Sequence, residues 1–348
     1  MKKEITLEIH NPMINMQGIY DYYDLSEFTV EGMPFYEENK SFFRLPQKDI
    51  KKIRSSLVTI AHTASGAVIR FKTNSKSINI RCTLKNIRCS AGMPYTGELG
   101  IDVYRGKEYL NNFRPNYGSV CTNLHYPTYS DKLETYTLYL PVFSEIESFK
   151  IGVQGGSIMQ DPDEHKIKKP ICFYGSSVTH GACASRPGLT YPARAARKLD
   201  APFINFGFAG NCRGDEIIAE YISKLDLSCF FYAYSYNSPT PEFLEKTHEK
   251  FFNIVRNSQK DLPIVIMSDR FFDLEPEKFD YVVKKTYLNA KKNGDKNVYY
   301  LDHNEVFDEE FFRDFSSDRL HPNDEGFRCI GDKVYEMLNG ILSGNECC

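Results

Sequence analysis

Apolar and polar positions alternate with period two through much of the first half of the chain. Ile78, Ile80, Cys82 and Leu84 are separated by Asn79, Arg81 and Thr83, the pattern of a strand with one buried face. Ile69 and Phe71 alternate with Arg70 and Lys72 just upstream. Residues 99–104 and 108–110 flank Arg105-Gly106-Lys107, which predicts a hairpin closed by a glycine turn. Residues 57–61, 136–140 and 149–153 are further predicted strands. Many short strands joined by polar turns predict a β-sandwich or jelly roll.

The period changes after Gln160-Asp161-Pro162-Asp163-Glu164-His165-Lys166-Ile167-Lys168-Lys169-Pro170, a charged, proline-bounded stretch that reads as a linker. Beyond it, short apolar runs at 171–174, 203–206, 229–234, 264–267 and 298–301 alternate with helical patterns. Residues 191–199 form a predicted helix with Pro192 in its first turn, where proline is tolerated. Ile217, Ile218, Tyr221, Ile222 and Leu225 share one helical face, as do Phe279, Val282, Val283, Thr286 and Ala290, and Phe327, Ile330, Val334 and Leu338. Residues 241–256 are another predicted helix. About five β-α units predict a parallel sheet with helices on both faces. The predicted division is a β domain over residues 1–165 and an α/β domain over 170–345.

Composition narrows the partners. At roughly 100–200 residues per domain, 348 residues fit about two domains. Lys and Arg number 43 against 46 Asp and Glu, so no excess positive charge is available for a phosphate backbone and no nucleic-acid partner is expected. A hydrophobic share of 41% is ample for packed cores and excludes global disorder. Tryptophan is absent, so aromatic recognition must use Tyr or Phe. The start, Met1-Lys2-Lys3-Glu4-Ile5-Thr6-Leu7-Glu8, has no apolar stretch behind its lysines and is not expected to act as a signal peptide. No window approaches the roughly 18 apolar residues of a bilayer span, so no membrane partner is expected. Of the ten cysteines (Cys82, Cys89, Cys121, Cys172, Cys183, Cys212, Cys229, Cys329, Cys347 and Cys348), several lie in apolar runs, where cysteine acts as a small hydrophobe. Neither Cys-x-x-Cys nor His-Glu-x-x-His occurs, so no zinc or other metal is expected. Free thiols in a reducing cytoplasm are expected.

Candidate chemistry gathers in turns that follow strands. Tyr174-Gly175-Ser176-Ser177-Val178-Thr179-His180-Gly181 lies where the first strand of the α/β half ends, the place where open α/β sheets bind ligands. A serine there becomes a nucleophile only beside a base, and the turn is not a Gly-x-Ser-x-Gly elbow because position 179 is Thr. Spacing alone leaves Ser176 and Ser177 both eligible. Ser317-Asp318-Arg319-Leu320-His321-Pro322-Asn323-Asp324-Glu325-Gly326 precedes the last amphipathic pattern. An Asp and a His three apart in a turn can share a hydrogen bond that fixes the imidazole tautomer and leaves Nε2 as a base. The same Asp can instead simply cap the turn. Asn205-Phe206-Gly207-Phe208-Ala209-Gly210-Asn211-Cys212-Arg213-Gly214-Asp215 and Tyr234-Ser235-Tyr236-Asn237-Ser238-Pro239 are two more strand-to-helix turns. A glycine N–H and an asparagine amide at neighbouring strand ends can aim donors at an oxyanion. His180, Arg213, Tyr236 and Asp215 lie in these turns as possible substrate contacts, or as caps and packing.

The succession of Ser turn, Gly turn, Asn turn and Asp-x-x-His resembles the SGNH, or GDSL-type, hydrolases over about residues 170–342. The resemblance assigns Ser177 as nucleophile, Asp318 and His321 as its acid and base partners, and the N–H groups of Ser177 and Gly210 with the Asn237 amide as the oxyanion hole. Ser176 stands where these enzymes usually have Asp, and Ser238 follows Asn237 where they also usually have Asp. Gly181-Ala182-Cys183-Ala184-Ser185-Arg186-Pro187-Gly188 looks like one subgroup, and Gly100-Ile101-Asp102-Val103-Tyr104 resembles the Gly-x-Asp-Leu-Tyr signature of a β domain N-terminal to that subgroup. The resemblance implies a flavodoxin-like α/β sheet and a serine esterase without cofactor. It further implies a small-molecule or oligosaccharide ester as substrate, with similarity to bacterial carbohydrate O-acetylesterases acting on acetylated glycans such as mannan. A lipid or general acyl-ester hydrolase is the alternative activity, and a non-catalytic glycan-binding protein the alternative class.

Overall fold

The computed structural model describes residues 2–5, 19–85, 92–116, 119–268, 276–307 and 309–343. Cys89, Cys347, Cys348 and half of the N-terminal stretch read above lie outside them. The chain forms two compact units: residues 1–44, 62–164 and 185–188 in one, and 45–61, 165–184 and 189–348 in the other.

The first unit carries strands β1 (Lys2–Ile5), β2 (Ile19–Asp24), β3 (Val30–Glu31), β4 (Val68–Thr73), β5 (Ser77–Lys85), β6 (Ile101–Arg105), β7 (Glu108–Phe113), β8 (Cys121–Pro127), β9 (Glu134–Tyr139), β10 (Glu145–Gln154) and β11 (Met159–Gln160). They form two antiparallel sheets, β1-β2-β10-β5-β8 and β11-β4-β9-β6-β7, with β3 paired to β4. Ile78, Ile80, Cys82 and Leu84 of β5 share one core with Ile69, Phe71, Ile101, Val103 and Leu138 of the other sheet. The period-two pattern thus becomes a sandwich whose inner faces meet. β6 and β7 form the predicted hairpin, with Arg105 opposite Glu108. Asp102 of β6 is fully buried. Its Oδ1 accepts from Asn112 Nδ2 at 2.8 Å, and its Oδ2 from the N–H of Gly188 at 2.9 Å and from Arg186 Nη1 at 3.2 Å. The Arg186 guanidinium in turn stacks over the Tyr109 ring, 3.6 Å from its centroid.

Residues 57–61, read as a strand, are instead part of a helix, α1 (Ser55–Ala61). Its buried residues, Leu57, Ile60 and Ala61, fall at i, i+3 and i+4, a helical face that a five-residue apolar run does not distinguish from a strand.

The second unit is built on β12 (Ile171–Gly175), β13 (Phe203–Gly207), β14 (Cys229–Ala233), β15 (Ile264–Met267) and β16 (Val298–Leu301). All pair in parallel, in the order β13-β12-β14-β15-β16. The helices relevant here are α2 (Ser177–His180), α3 (Tyr191–Leu199), α4 (Glu216–Ile222), α5 (Pro241–Ser258), α6 (Pro276–Lys292) and α8 (Asp324–Leu342), with the short α7 (Glu309–Asp314) before the last. α3 packs on α8, while α4, α5 and α6 pack in succession. The strand order reverses direction after β13, so right-handed crossovers put these two helix groups on opposite faces. Every residue of β12, β13, β14 and β15 is buried, as a sheet covered on both sides requires. Gly175 pairs with Gly207 on one side and Ala233 on the other. Three strands therefore end at one level, and β12 and β14 flank the topological switch point where such sheets place their ligands. Among the described residues, no helix is long and apolar enough to cross a membrane. The seven described cysteines are thiols outside any disulfide.

Candidate active site

The two serines after β12 have separate tasks. Ser176 caps α2, its Oγ accepting from the Val178 N–H at 3.4 Å. Ser177 Oγ lies 2.9 Å from His321 Nε2. Of the two serines that spacing left eligible, Ser177 is the one whose hydroxyl meets this imidazole. The α2 turn is pressed onto β13: a Cβ on Gly207 would stand 2.2 Å from the His180 nitrogen, so only glycine allows that approach. Asn205 Nδ2 donates to the Thr179 carbonyl at 2.9 Å, and the Thr179 and Tyr191 hydroxyls are 2.8 Å apart. These bonds fix the short helix from below, although four residues alone make no stable helix.

The partner turn is closed on itself. The Ser317 N–H donates to the His321 carbonyl at 2.8 Å and the Asn323 N–H to the Phe315 carbonyl at 3.0 Å. Arg319 takes a left-handed φ of 64° at its tip. Asn323 then caps α8, its Oδ1 accepting from the N–H groups of Glu325 and Gly326. Asp318 uses one oxygen for each of the two roles read from the sequence. Oδ1 accepts from the N–H groups of Leu320 and His321, at 3.0 and 2.7 Å, and Oδ2 lies 2.8 Å from His321 Nδ1. Partial burial alone would raise the Asp318 pKa. The backbone and ring N–H groups of His321 outweigh it and hold the carboxyl below its usual range. With Nδ1–H donating to Asp318, Nε2 is left to accept the Ser177 proton.

The two remaining turns supply donors. Gly210 is exposed, with φ of 68°, and a Cβ there would meet nothing. Its glycine is required by the left-handed backbone, not by space. Among the described residues the N–H groups of Ser177 and Gly210 have no acceptor. Asn237 Oδ1 accepts from the Cys212 N–H at 3.2 Å, which sets the amide orientation and leaves Nδ2 as its donor. Behind the glycine turn stands Arg54, which the sequence reading passed over. Its Nε and Nη2 grip Asp215 at 2.6 and 2.8 Å, and Nη2 also donates to the Asn211 carbonyl at 2.9 Å. This fork ties α1 to the Gly210 turn. A lone Arg in Lys51-Lys52-Ile53-Arg54 carries no signal of that role.

The other expected contacts are placed as follows. Arg213 is exposed and Tyr236 half-buried. His180 is 0% exposed at the end of α2. Its backbone is wedged against β13, so it does not face solvent as a substrate contact must. Tyr234, in the same turn as Tyr236, is fully buried and packed on the Tyr174 and His248 rings, as part of the core. Cys183 takes a left-handed φ of 70° and is buried. Its thiol pKa is raised, by burial first and then by the charge of Asp318. Its Sγ, an Asp318 oxygen and a His321 nitrogen lie within 4.8 Å of one another.

Residues 168–339 match the GDSL-like Lipase/Acylhydrolase family, and residues 20–159 match the GxDLY family, the N-terminus of Esterase_SGNH_hydro-type. No curated protein matches the sequence. Among solved structures, a protein of Bacteroides ovatus ATCC 8483 described as a GDSL-like lipase is 23% identical, with a TM-score of 0.83 over 93% of this chain and 98% of its own. The salicylyl-acyltransferase SsfX3 from a tetracycline biosynthetic pathway is 18% identical, with a TM-score of 0.79 over the same shares. The acetyl xylan esterase Est2A of the rumen bacterium Butyrivibrio proteoclasticus is 11% identical, with a TM-score of 0.59 over 93% of this chain and 99% of its own. At these identities the likeness shows a shared fold. With both of its halves matched, the chain belongs to the SGNH/GDSL hydrolases, its GDSL-like part preceded by a GxDLY domain.

Proposed function

We propose that this chain is a serine esterase that removes small acyl groups, acetyl foremost, from carbohydrate, with acetylated mannan-type oligosaccharides among its substrates. The carrying observation is the unbroken hydrogen-bond chain from Ser177 Oγ through both nitrogens of His321 to Asp318. Ser177 Oγ attacks the ester carbonyl carbon while its proton passes to His321 Nε2. The N–H groups of Ser177 and Gly210, with the Asn237 amide, hold the oxyanion. The ester C–O bond then breaks, and the sugar hydroxyl leaves with the proton from His321. Water, deprotonated by the same nitrogen, attacks the acyl-serine and releases the acid, restoring Ser177. The likeness in fold to an acetyl xylan esterase supports the choice of acetyl on sugar.

The test is acetate release from a panel of acetylated glycans, mannan and xylan included, beside p-nitrophenyl acetate and octanoate. Wild type is expected to release acetate and prefer the short ester. Ser177→Ala, with unchanged circular dichroism, is expected to lose about 10⁴–10⁶ in kcat. Preference for octanoate would turn the reading to a general acyl-ester hydrolase. Unchanged turnover in Ser177→Ala would move the nucleophile elsewhere, and no turnover of any ester by wild type would leave a binding protein.

A further inference from the structure

We propose that Cys183, Asp318 and His321 bind a thiophilic divalent cation, Zn²⁺ above all, and that its occupancy switches the ester chemistry off. The inhibitory consequence rests on the function proposed above; the binding itself does not. The three side chains come from two distant turns. Cys183 stands just past α2, which carries Ser177, and Asp318 and His321 share the turn before α8. No sequence spacing can display such a set, which is why the absence of Cys-x-x-Cys and His-Glu-x-x-His did not reveal it.

A thiolate, an imidazole and a carboxylate make a zinc donor set; magnesium and calcium prefer oxygen alone. The three ligand atoms lie within 4.8 Å of one another. Bond lengths of about 2.0–2.3 Å put ligands of a tetrahedral zinc about 3.5 Å apart. Closing the difference requires a movement of roughly an ångström among the three side chains, of which that of Asp318 is half exposed. Three protein ligands leave the fourth position to water, the arrangement of an open site. The exposed Asp318 and half-buried His321 give a hydrated ion its entry, and the buried Cys183 closes the inner side. On binding, the thiol proton is released to solvent and an S–Zn bond replaces the S–H bond. No oxidation occurs.

Both ring nitrogens of His321 are already engaged, Nε2 with Ser177 and Nδ1 with Asp318. A cation that takes Nε2 removes the base from the serine. One that takes Nδ1 removes the carboxylate from the ring and sets a positive charge where an imidazolium must form. Either way hydrolysis stops while the metal stays.

The intact chain and its Cys183→Ala variant are titrated with Zn²⁺ in a buffer that does not chelate, following ester hydrolysis, and with Co²⁺, following the thiolate-to-cobalt charge-transfer absorption. In wild type, Zn²⁺ is expected to abolish hydrolysis, EDTA to restore it, and Co²⁺ to give the thiolate band. In Cys183→Ala, basal hydrolysis should stay within about twofold, the half-inhibitory Zn²⁺ concentration should rise at least about tenfold, and the band should vanish. Cys183→Ser, closer in size, gives the same readout if the alanine variant does not fold. Equal Zn²⁺ sensitivity in wild type and variant, or no thiolate band in wild type, overturns the proposal. A band that depends on Cys183 in a protein that hydrolyses no ester would keep the metal site and remove the proposed function instead.

Discussion

Asp102 in the β unit and Asp318 in the α/β unit both answer short motifs, and their surroundings are opposite. Asp102 is 0% exposed and spends its oxygens on Asn112, Gly188 and Arg186. Asp318 has half its side chain in solvent, with one oxygen on its own turn and the other on an imidazole. The more buried acid is the one whose bonds reach neither a histidine nor a serine. A buried carboxylate saturated by donors holds chain together. A carboxylate with one oxygen to spare for a histidine, which itself reaches a serine, can move a proton.

The sharpest break of that contrast is Asp318→Asn. The amide keeps an oxygen for the turn N–H groups but offers Nδ1 a donor instead of an acceptor, so His321 takes the wrong tautomer. Hydrolysis is expected to fall about 10⁴-fold in kcat with the urea midpoint nearly unmoved. Loss of stability with turnover retained would show that Asp318 is a turn residue like any other.

Asp102→Ala should do the reverse. Removing a fully buried acceptor leaves the Arg186 guanidinium, the Gly188 N–H and the Asn112 amide without it, at a cost of about 3–5 kcal/mol in unfolding free energy by denaturant titration. Hydrolysis per folded molecule should fall far less than in Asp318→Asn. If turnover falls as far with stability intact, the division between a structural and a chemical aspartate is wrong.

Smaller again is Asn237→Ala. The Cys212 N–H loses its acceptor and the oxyanion one donor, so kcat should drop about 10²–10³-fold at nearly constant KM. A change confined to KM would make Asn237 a substrate-binding residue and leave the oxyanion to backbone donors.

The legibility of these residues in the sequence follows the range of the forces that place them. Strand and helix periods are local, so all five strands of the parallel sheet and the hairpin at Gly106 could be read directly. Asp318 and His321 were legible because three positions in one turn suffice to join them. Spacing could not separate Ser177 from Ser176, since either hydroxyl suits a turn; the resemblance chose Ser177, and only a contact across the sheet end pairs it with His321. The helix at Ser55–Ala61 was misread because a five-residue apolar run satisfies both periods. Arg54 and Cys183 were opaque for one reason: each lies against a turn far away in sequence, Arg54 against the one that holds Gly210 and Cys183 near the one that holds His321, and neither has a local pattern.

Histidines repeat the contrast of the aspartates, with the smallest expected effect. His321 is partly exposed beside Ser177, whereas His248 is fully buried in α5 against the Tyr232 and Tyr234 rings, with Nδ1 2.8 Å from Thr286 Oγ1. Burial pushes its pKa down from 6.5 to about 3, so the folded chain holds it neutral while the unfolded chain protonates it near the ordinary value. Below that value the unfolded state binds more protons. His248 therefore lowers stability as pH falls from about 6.5 towards 3, by at most about 1.4 kcal/mol per pH unit, and contributes no such slope above that window. In His248→Gln, whose amide can still meet Thr286, urea unfolding between pH 6.5 and 4 should show a shallower loss of stability than wild type. The pH profile of hydrolysis should stay in place, because His248 touches none of the residues around Ser177. An unchanged stability slope would mean that His248 escapes its burial on protonation, and a shifted activity profile would mean that the buried histidine takes part in the chemistry after all.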